Sequence, residues 1–308
     1  MTVDLDKYFE DTAKVLGLET LQHKFDNDYL DSRGVRLHLN IIRYSQDAPT
    51  VVFIPGMALY SLCYAELLAS VAAEGFNVIG FDPRGQGQSG GKRGDFNFND
   101  IVKDTQAVVT YAIDNFNTEI TVMGSRQGGI AALYAAAADD RICSAVCHSV
   151  ADLADIKQLN VYPTYTKILK PFAFGLSRIF PNISLKVKRH FNVPNEELKH
   201  FGDINAFMEE DPLVLKRIKV KSLRSFNDAH LARSLDKITT PIFVLQPEKD
   251  TIFPLEYIQN IVDRLAGKKR LEIFEGKSAT MITESVGEVL PSISRWLKEI
   301  HLQKLETN

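Results

Sequence analysis

Cysteine is too scarce for a disulfide scaffold. The chain has three in 308 residues, Cys63, Cys143 and Cys147, at no metal-ligand spacing. The last two sit in an apolar, strand-like run, and all three are expected as buried, reduced thiols of a cytoplasmic protein. The seven histidines form no H-x-H or H-x3-H cluster, so no metal site is expected, and no sequence feature calls for a cofactor. No apolar run approaches the ~20 residues of a membrane span. The opening MTVDLDKYFEDTAK is acidic rather than cationic and apolar, so a secretory leader is not expected. There is no internal repeat and no low-complexity segment. A net charge of −3 gives no reason to invoke nucleic acid.

What is present is a chain long and apolar enough, at 45% hydrophobic, to bury one large core. Residues 4–17 place Leu5, Tyr8, Phe9, Ala13, Val15 and Leu16 at mostly helical spacing, which predicts a short amphipathic helix within an N-terminal segment 1–21. Two strand-like segments between Gln22 and Tyr44 flank the turn Asp31-Ser32-Arg33-Gly34. Strand Thr50–Ile54, helix Tyr64–Glu74, strand Phe76–Phe81, helix Phe98–Phe116 and strand Ile142–Cys147 then follow in β–α order. Such alternation predicts an α/β fold with a mostly parallel sheet covered by helices on both faces.

The alternation stops at Ser149 and resumes at Pro241–Gln246, followed by helix Leu255–Leu265, strand Arg270–Phe274 and helix Ser292–Leu302, whose stripe includes Trp296. Residues 22–149 and 239–308 therefore make the core, and 150–238 an insertion. Leaving and re-entering at carboxyl ends of strands, it is expected to form a helical cap over the binding crevice. The insertion carries 15 Lys/Arg against 10 Asp/Glu, with basic runs Lys186–His190 and Lys216–Lys221 and an aromatic cluster around Phe172–Phe180. That balance is what a surface meeting anionic lipid would carry, so a peripheral membrane contact is one expectation and ordinary solvated helices are the other.

The informative stretch is Thr118–Ala137, TEITVMGSRQGGIAALYAAA. Apolar and β-branched residues alternate up to Met123, Gly124 breaks the strand, and Gly128-Gly129 opens an alanine-rich helix. A sharp strand-to-helix turn of this kind requires small residues two positions either side of its apex, which makes Arg126 the apex. Placing Ser125 there would put Met123 and Gln127 in the glycine positions, where their side chains would collide with the turn.

With FIPGMALYSLCY, FDPRGQGQSGG, VMGSRQGG, IFVLQPEKDTIFP and FEGKSATMITE, the chain resembles the monoacylglycerol lipase, lysophospholipase and serine aminopeptidase group of α/β hydrolases from about residue 22 to 300. The resemblance implies an α/β-hydrolase fold with a cap. Phe81–Ser89 is similar to the group's F-D-x-R-G-x-G-x-S, in which Asp82 and Arg84 are read as fixing loops. Pro55-Gly56-Met57 stands where the group has H-G-x, so the backbone N–H groups of Met57 and Gln127 take the oxyanion-hole positions, beside Gly56. Asp250, in Pro247-Glu248-Lys249-Asp250, takes the position of the triad acid. Arg126 stands at the nucleophile position and Ala279, in Glu275-Gly276-Lys277-Ser278-Ala279, at that of the histidine. Glu248 and Asp228 read as solvated surface.

Serine-hydrolase chemistry needs a hydroxyl and a base, and arginine supplies neither. Losing the nucleophile alone costs about 10^6 in turnover. The triad is therefore disabled as written, in a natural pseudoenzyme or in an inactivated hydrolase, and the expected partner is a small acyl or anionic ligand. Arg126 can serve as a plug paired with Asp250 in space vacated at Ala279, or as an anion site beside helix N–H groups. The alternative is ester hydrolysis through a replacement site, for which Ser125 and His148 are the candidates.

Overall fold

The computed structural model describes residues 25–158, 179–187 and 197–302, with residues 10, 13 and 14 ahead of them. Strands β1 (Asp26–Ser32) and β2 (Val35–Ile42) pair antiparallel with Ser32 opposite Val35. The two-residue turn between them takes positive φ at both positions, 54° at Arg33 and 75° at Gly34, as the twist of a tight hairpin requires. Six further strands complete one sheet: β3 (Thr50–Ile54), β4 (Asn77–Phe81), β5 (Ile120–Ser125), β6 (Ile142–His148), β7 (Ile242–Pro247) and β8 (Lys269–Phe274). Their order is β1-β2-β4-β3-β5-β6-β7-β8. β2 runs antiparallel to β4, and every pair from β4 across to β8 is parallel. All residues of β3, β4 and β5 are buried, which is why these strands are mainly apolar without an exposed polar face, and even their polar members Thr50, Asn77, Thr121 and Ser125 lie inside.

Helices α1 (Ala65–Ala73), α2 (Phe98–Asn115) and α3 (Gln127–Ala138) connect the strands of the first half. Later come α4 (Ile204–Glu210), α5 (Val220–Asn227), α6 (Leu255–Arg264), α7 (Met281–Glu284) and α8 (Val286–Leu302). The sequence predicts the last helix only from Ser292, on the other side of a proline. Instead α8 runs through Pro291, because Val289, Ile293, Trp296 and Leu297 are all fully buried and that packing outweighs one missing N–H. Cys143 also departs from expectation, being half-buried, whereas Cys63 and Cys147 are buried.

The predicted helix 4–17 lies almost wholly outside the described residues, as do Phe172, Phe174 and residues 188–190 of the insertion. The described parts of that insertion pack on the loops after β3 and β4. Ser222 and Ser225 accept from the Phe96 and Phe98 N–H groups at 2.9 Å each. The Lys219 N–H reaches the Gly94 carbonyl at 2.9 Å, and Leu215 N–H reaches the Ala58 carbonyl at 2.8 Å. Strands Ser184–Lys186 and Arg217–Lys219 form an antiparallel ribbon beside these contacts. Asp82 and Arg84 are structural, as read from the sequence: Asp82 accepts from the Ser61 and Gln88 N–H groups, and Arg84 pairs with the fully buried Asp104.

Candidate functional site

The turn between β5 and α3 has Arg126 at its apex, with φ 55° and ψ −111°. A non-glycine residue holds such a backbone only where its surroundings impose it, and here two close approaches do so. A Cβ on Gly124 would lie 2.1 Å from the Gly128 carbonyl oxygen, and one on Gly128 would lie 2.0 Å from that of Ile54. Both glycines are required by contact, and they fix the frame that puts Arg126, not Ser125, at the apex. The alanine-rich α3, buried along nearly all its length, lets its N-terminus press against the end of β3.

The loop after β3 is held at several points. Gly56 N–H donates to the Tyr64 hydroxyl at 3.1 Å, Leu59 N–H to the Gly56 carbonyl at 3.1 Å, and Ala58 N–H to Oε1 of the buried Gln86 at 3.0 Å. Among the described residues, neither the Met57 nor the Gln127 N–H has an acceptor. Two backbone donors are thus left over, one at the N-terminus of α3 next to Arg126 and one following Gly56, where a Cβ would lie 3.6 Å from the Ser125 carbonyl oxygen.

Asp250 sits in the loop after β7, its side chain 1% exposed. Its Oδ1 accepts from the Ile252 and Phe253 N–H groups at 2.8 and 3.0 Å, and its Oδ2 pairs with Nη1 of Arg126, with the Ser149 hydroxyl at 3.5 Å. The Arg126 guanidinium also lies over the Phe253 ring, 4.8 Å from its centroid, and the side chain remains 18% exposed. Nη1 is the only guanidinium nitrogen of Arg126 with a hydrogen-bond partner among the described residues, and a planar fork has donors to spare. Ala279 is half-buried in the turn after β8. That turn is tied to the acid loop, since Lys249 N–H donates to the Lys277 carbonyl at 2.9 Å and Gly276 N–H to Glu248 at 2.8 Å.

Ser125 and His148 are register partners on β5 and β6, and the Ser125 hydroxyl lies 3.1 Å from His148 Nδ1. Both are buried, and among the described residues the other ring nitrogen of His148 has no hydrogen-bond partner. Burial, and then the nearby Arg126 charge, hold the His148 pKa well below its usual range, so the ring is neutral. Burial pushes the pKa of the neighbouring Tyr64 hydroxyl, the acceptor for the Gly56 N–H, up to about 12. Tyr64, Gln86, Phe253 and Ser149 were not legible as site residues. Only Gln86, inside the glycine-rich run, carried a signal that could have found it. Among the described residues no cluster of histidine, cysteine or carboxylate side chains could hold a metal, and no helix is long and apolar enough to cross a membrane.

Comparison with known proteins bears on this geometry. The family described as serine aminopeptidase, S33, matches residues 45–285. A monoacylglycerol lipase of Mycolicibacterium smegmatis is 24% identical over 274 residues, covering 86% of this chain and 93% of the relative. The structure of a monoacylglycerol lipase of Paleococcus ferrophilus superposes with a TM-score of 0.66 at 23% identity, over 86% of this chain and 99% of that one. A soluble variant of monoglyceride lipase from Saccharomyces cerevisiae, in complex with a substrate analog, superposes with a TM-score of 0.72 at 16% identity, over 90% and 95%. At these identities the solved structures establish the fold.

Proposed function

The chain belongs to the serine aminopeptidase S33 family, and from that premise we propose that it binds an acyl or other anionic small molecule at a site no longer equipped for serine-hydrolase chemistry. Its fold is that of the α/β hydrolases, and its ancestry is of the lipase and esterase type. The carrying observation is the strained apex itself: the position that would present a nucleophile presents a guanidinium, paired with Asp250 through one nitrogen. Arginine donates hydrogen bonds and has no accessible neutral form, so it cannot attack an acyl carbon. With its remaining donors, the Met57 and Gln127 N–H groups and the N-terminus of α3, it matches a carboxylate or phosphate. Plug and anion site coexist on this reading, the pair with Asp250 orienting the fork. Residues 150–238 serve as the cap over the ligand, and Ala279 marks the place of the lost histidine.

Calorimetric titration with decanoate and with inorganic phosphate tests the proposal. At least one binds to the native chain, and Arg126→Ala weakens that binding tenfold or more. Equal affinity in the variant, or no heat with either anion, contradicts it.

A second reading is favoured by one distance, the 3.1 Å between Ser125 and His148 Nδ1. On that reading the Ser125 oxygen attacks an ester carbonyl while His148 takes its proton and passes it to the departing alcohol, and water then cleaves the acyl-serine. The burial of both side chains weighs against it. A fluorophosphonate probe decides: labelling that disappears in Ser125→Ala supports this reading, and unlabelled protein removes it.

A further inference from the structure

Ala58 has φ 73° without being glycine, so the donor loop after β3 stays in place only if other groups hold it. The Met57 N–H shares a rigid peptide plane with the Gly56 carbonyl, so its direction is set by whatever fixes the turn from Gly56 to Leu59. Inside that turn, Ala58 is pinned from both sides. Gln86 accepts from its N–H, and Leu215 N–H donates to its carbonyl at 2.8 Å. Leu215 belongs to the insertion, not to the sheet or its connecting loops.

The segment Asp211–Leu215 is itself tied down at both ends. Asp211 Oδ1 accepts from the Leu213 and Val214 N–H groups at 2.7 and 3.1 Å, and its Oδ2 accepts from the Tyr60 hydroxyl at 2.9 Å. Arg93, a surface residue, donates to the Leu213 and Val214 carbonyls at 2.7 and 3.3 Å and to the Gly87 carbonyl at 2.9 Å. Leu213, Val214 and Leu215 are themselves buried. Tyr60 stands two residues after Ala58, so this segment grips the donor loop at two places.

We propose that Asp211–Leu215 is a strap through which the insertion positions the Met57 donor, with Arg93 and Tyr60 as the positioning residues that hold it. The inference rests on the reading of Met57 as a ligand donor. It adds that the insertion acts on the site through the backbone of this loop, as well as covering it. A displacement of the insertion releases the Ala58 carbonyl and with it the orientation of the Met57 N–H.

Amide exchange measured by NMR on the full 15N-labelled chain tests the strap, read at Leu59 and Leu215. In Arg93→Ala both amides exchange at least tenfold faster than in the native chain, while Val52 and Val122 in the sheet are unchanged. Tyr60→Phe, which keeps the ring and removes one hydrogen bond, gives a smaller acceleration at the same two amides. Unchanged rates at Leu59 in both variants overturn the strap, as does uniform acceleration throughout the sheet in Tyr60→Phe. Titration of the same samples with decanoate and with inorganic phosphate separates the two proposals. If the native chain binds neither decanoate nor inorganic phosphate and the exchange pattern is as described, the ligand reading fails and the strap stands. If decanoate binds and Leu59 is indifferent to both substitutions, the ligand reading stands and the strap is wrong.

Discussion

Arg126 and Asp250 share one ion pair in which the carboxylate is buried and the guanidinium partly wet. Removing either partner leaves the other poorly compensated, at a cost of about 2–3 kcal/mol given the partial exposure of the arginine. Denaturant melts of Arg126→Ala, Asp250→Ala and the double variant are expected to show non-additivity, the double costing at least ~1 kcal/mol less than the sum. Additive losses mean that the pair carries no coupling. Gly124→Ala is expected to cost more than about 4 kcal/mol, because its Cβ meets backbone rather than a movable side chain. His148 gives a pH signature. The unfolded chain takes up a proton there as pH falls through about 6.5, whereas the folded chain, its pKa depressed, does not. Stability from this group is complete above that pH and falls by ~1.4 kcal/mol per unit below it. Thermal melts of His148→Asn between pH 7.5 and 5.5 should flatten accordingly, and an unchanged slope refutes the assignment. At this scale Arg126 was legible because two glycines bracket it. Ser125 and His148 were legible as a candidate pair because His148 ends its strand, whereas their contact distance depends on the register of β5 against β6, which no local pattern encodes.

Among the elements, the parallel strands were the easiest to read, since strands covered on both faces are continuous apolar runs with β-branched residues. Their ends were harder. β5 continues to Ser125 and β6 to His148, two polar residues that their apolar periodicity alone would leave outside. α8 was misplaced at its start because a proline is most at home in the first turn of a helix, and here it occupies the sixth position. α7, four residues long, has too little periodicity to announce itself. The exposed Pro291 denies the Gly287 carbonyl its i+4 donor, so Pro291→Ala is expected to raise the stability by roughly 1 kcal/mol, read from the urea midpoint. A lowered midpoint would show that the proline contributes more by stiffening the unfolded chain than it costs in the helix.

For the molecule as a whole, the insertion carries two proposals, covering the ligand and meeting a lipid surface. Ile179, Phe180 and Ile183 are 70%, 52% and 44% exposed, near the exposed basic residues Lys186, Lys216 and Arg217. Co-sedimentation with vesicles is expected to show partitioning onto anionic but not neutral lipid, falling as salt rises. Equal partitioning onto both, or onto neither, removes the electrostatic contact. The most direct test of the proposal that the triad is disabled is nitrophenyl-ester hydrolysis by the native chain and by Arg126→Ser combined with Ala279→His. The native chain is expected to match an inert protein, and the double substitution to recover hydrolysis that Asp250→Ala abolishes. A native chain whose turnover disappears on Asp250→Ala, or a folded double variant inert towards esters of several chain lengths, would contradict that assignment.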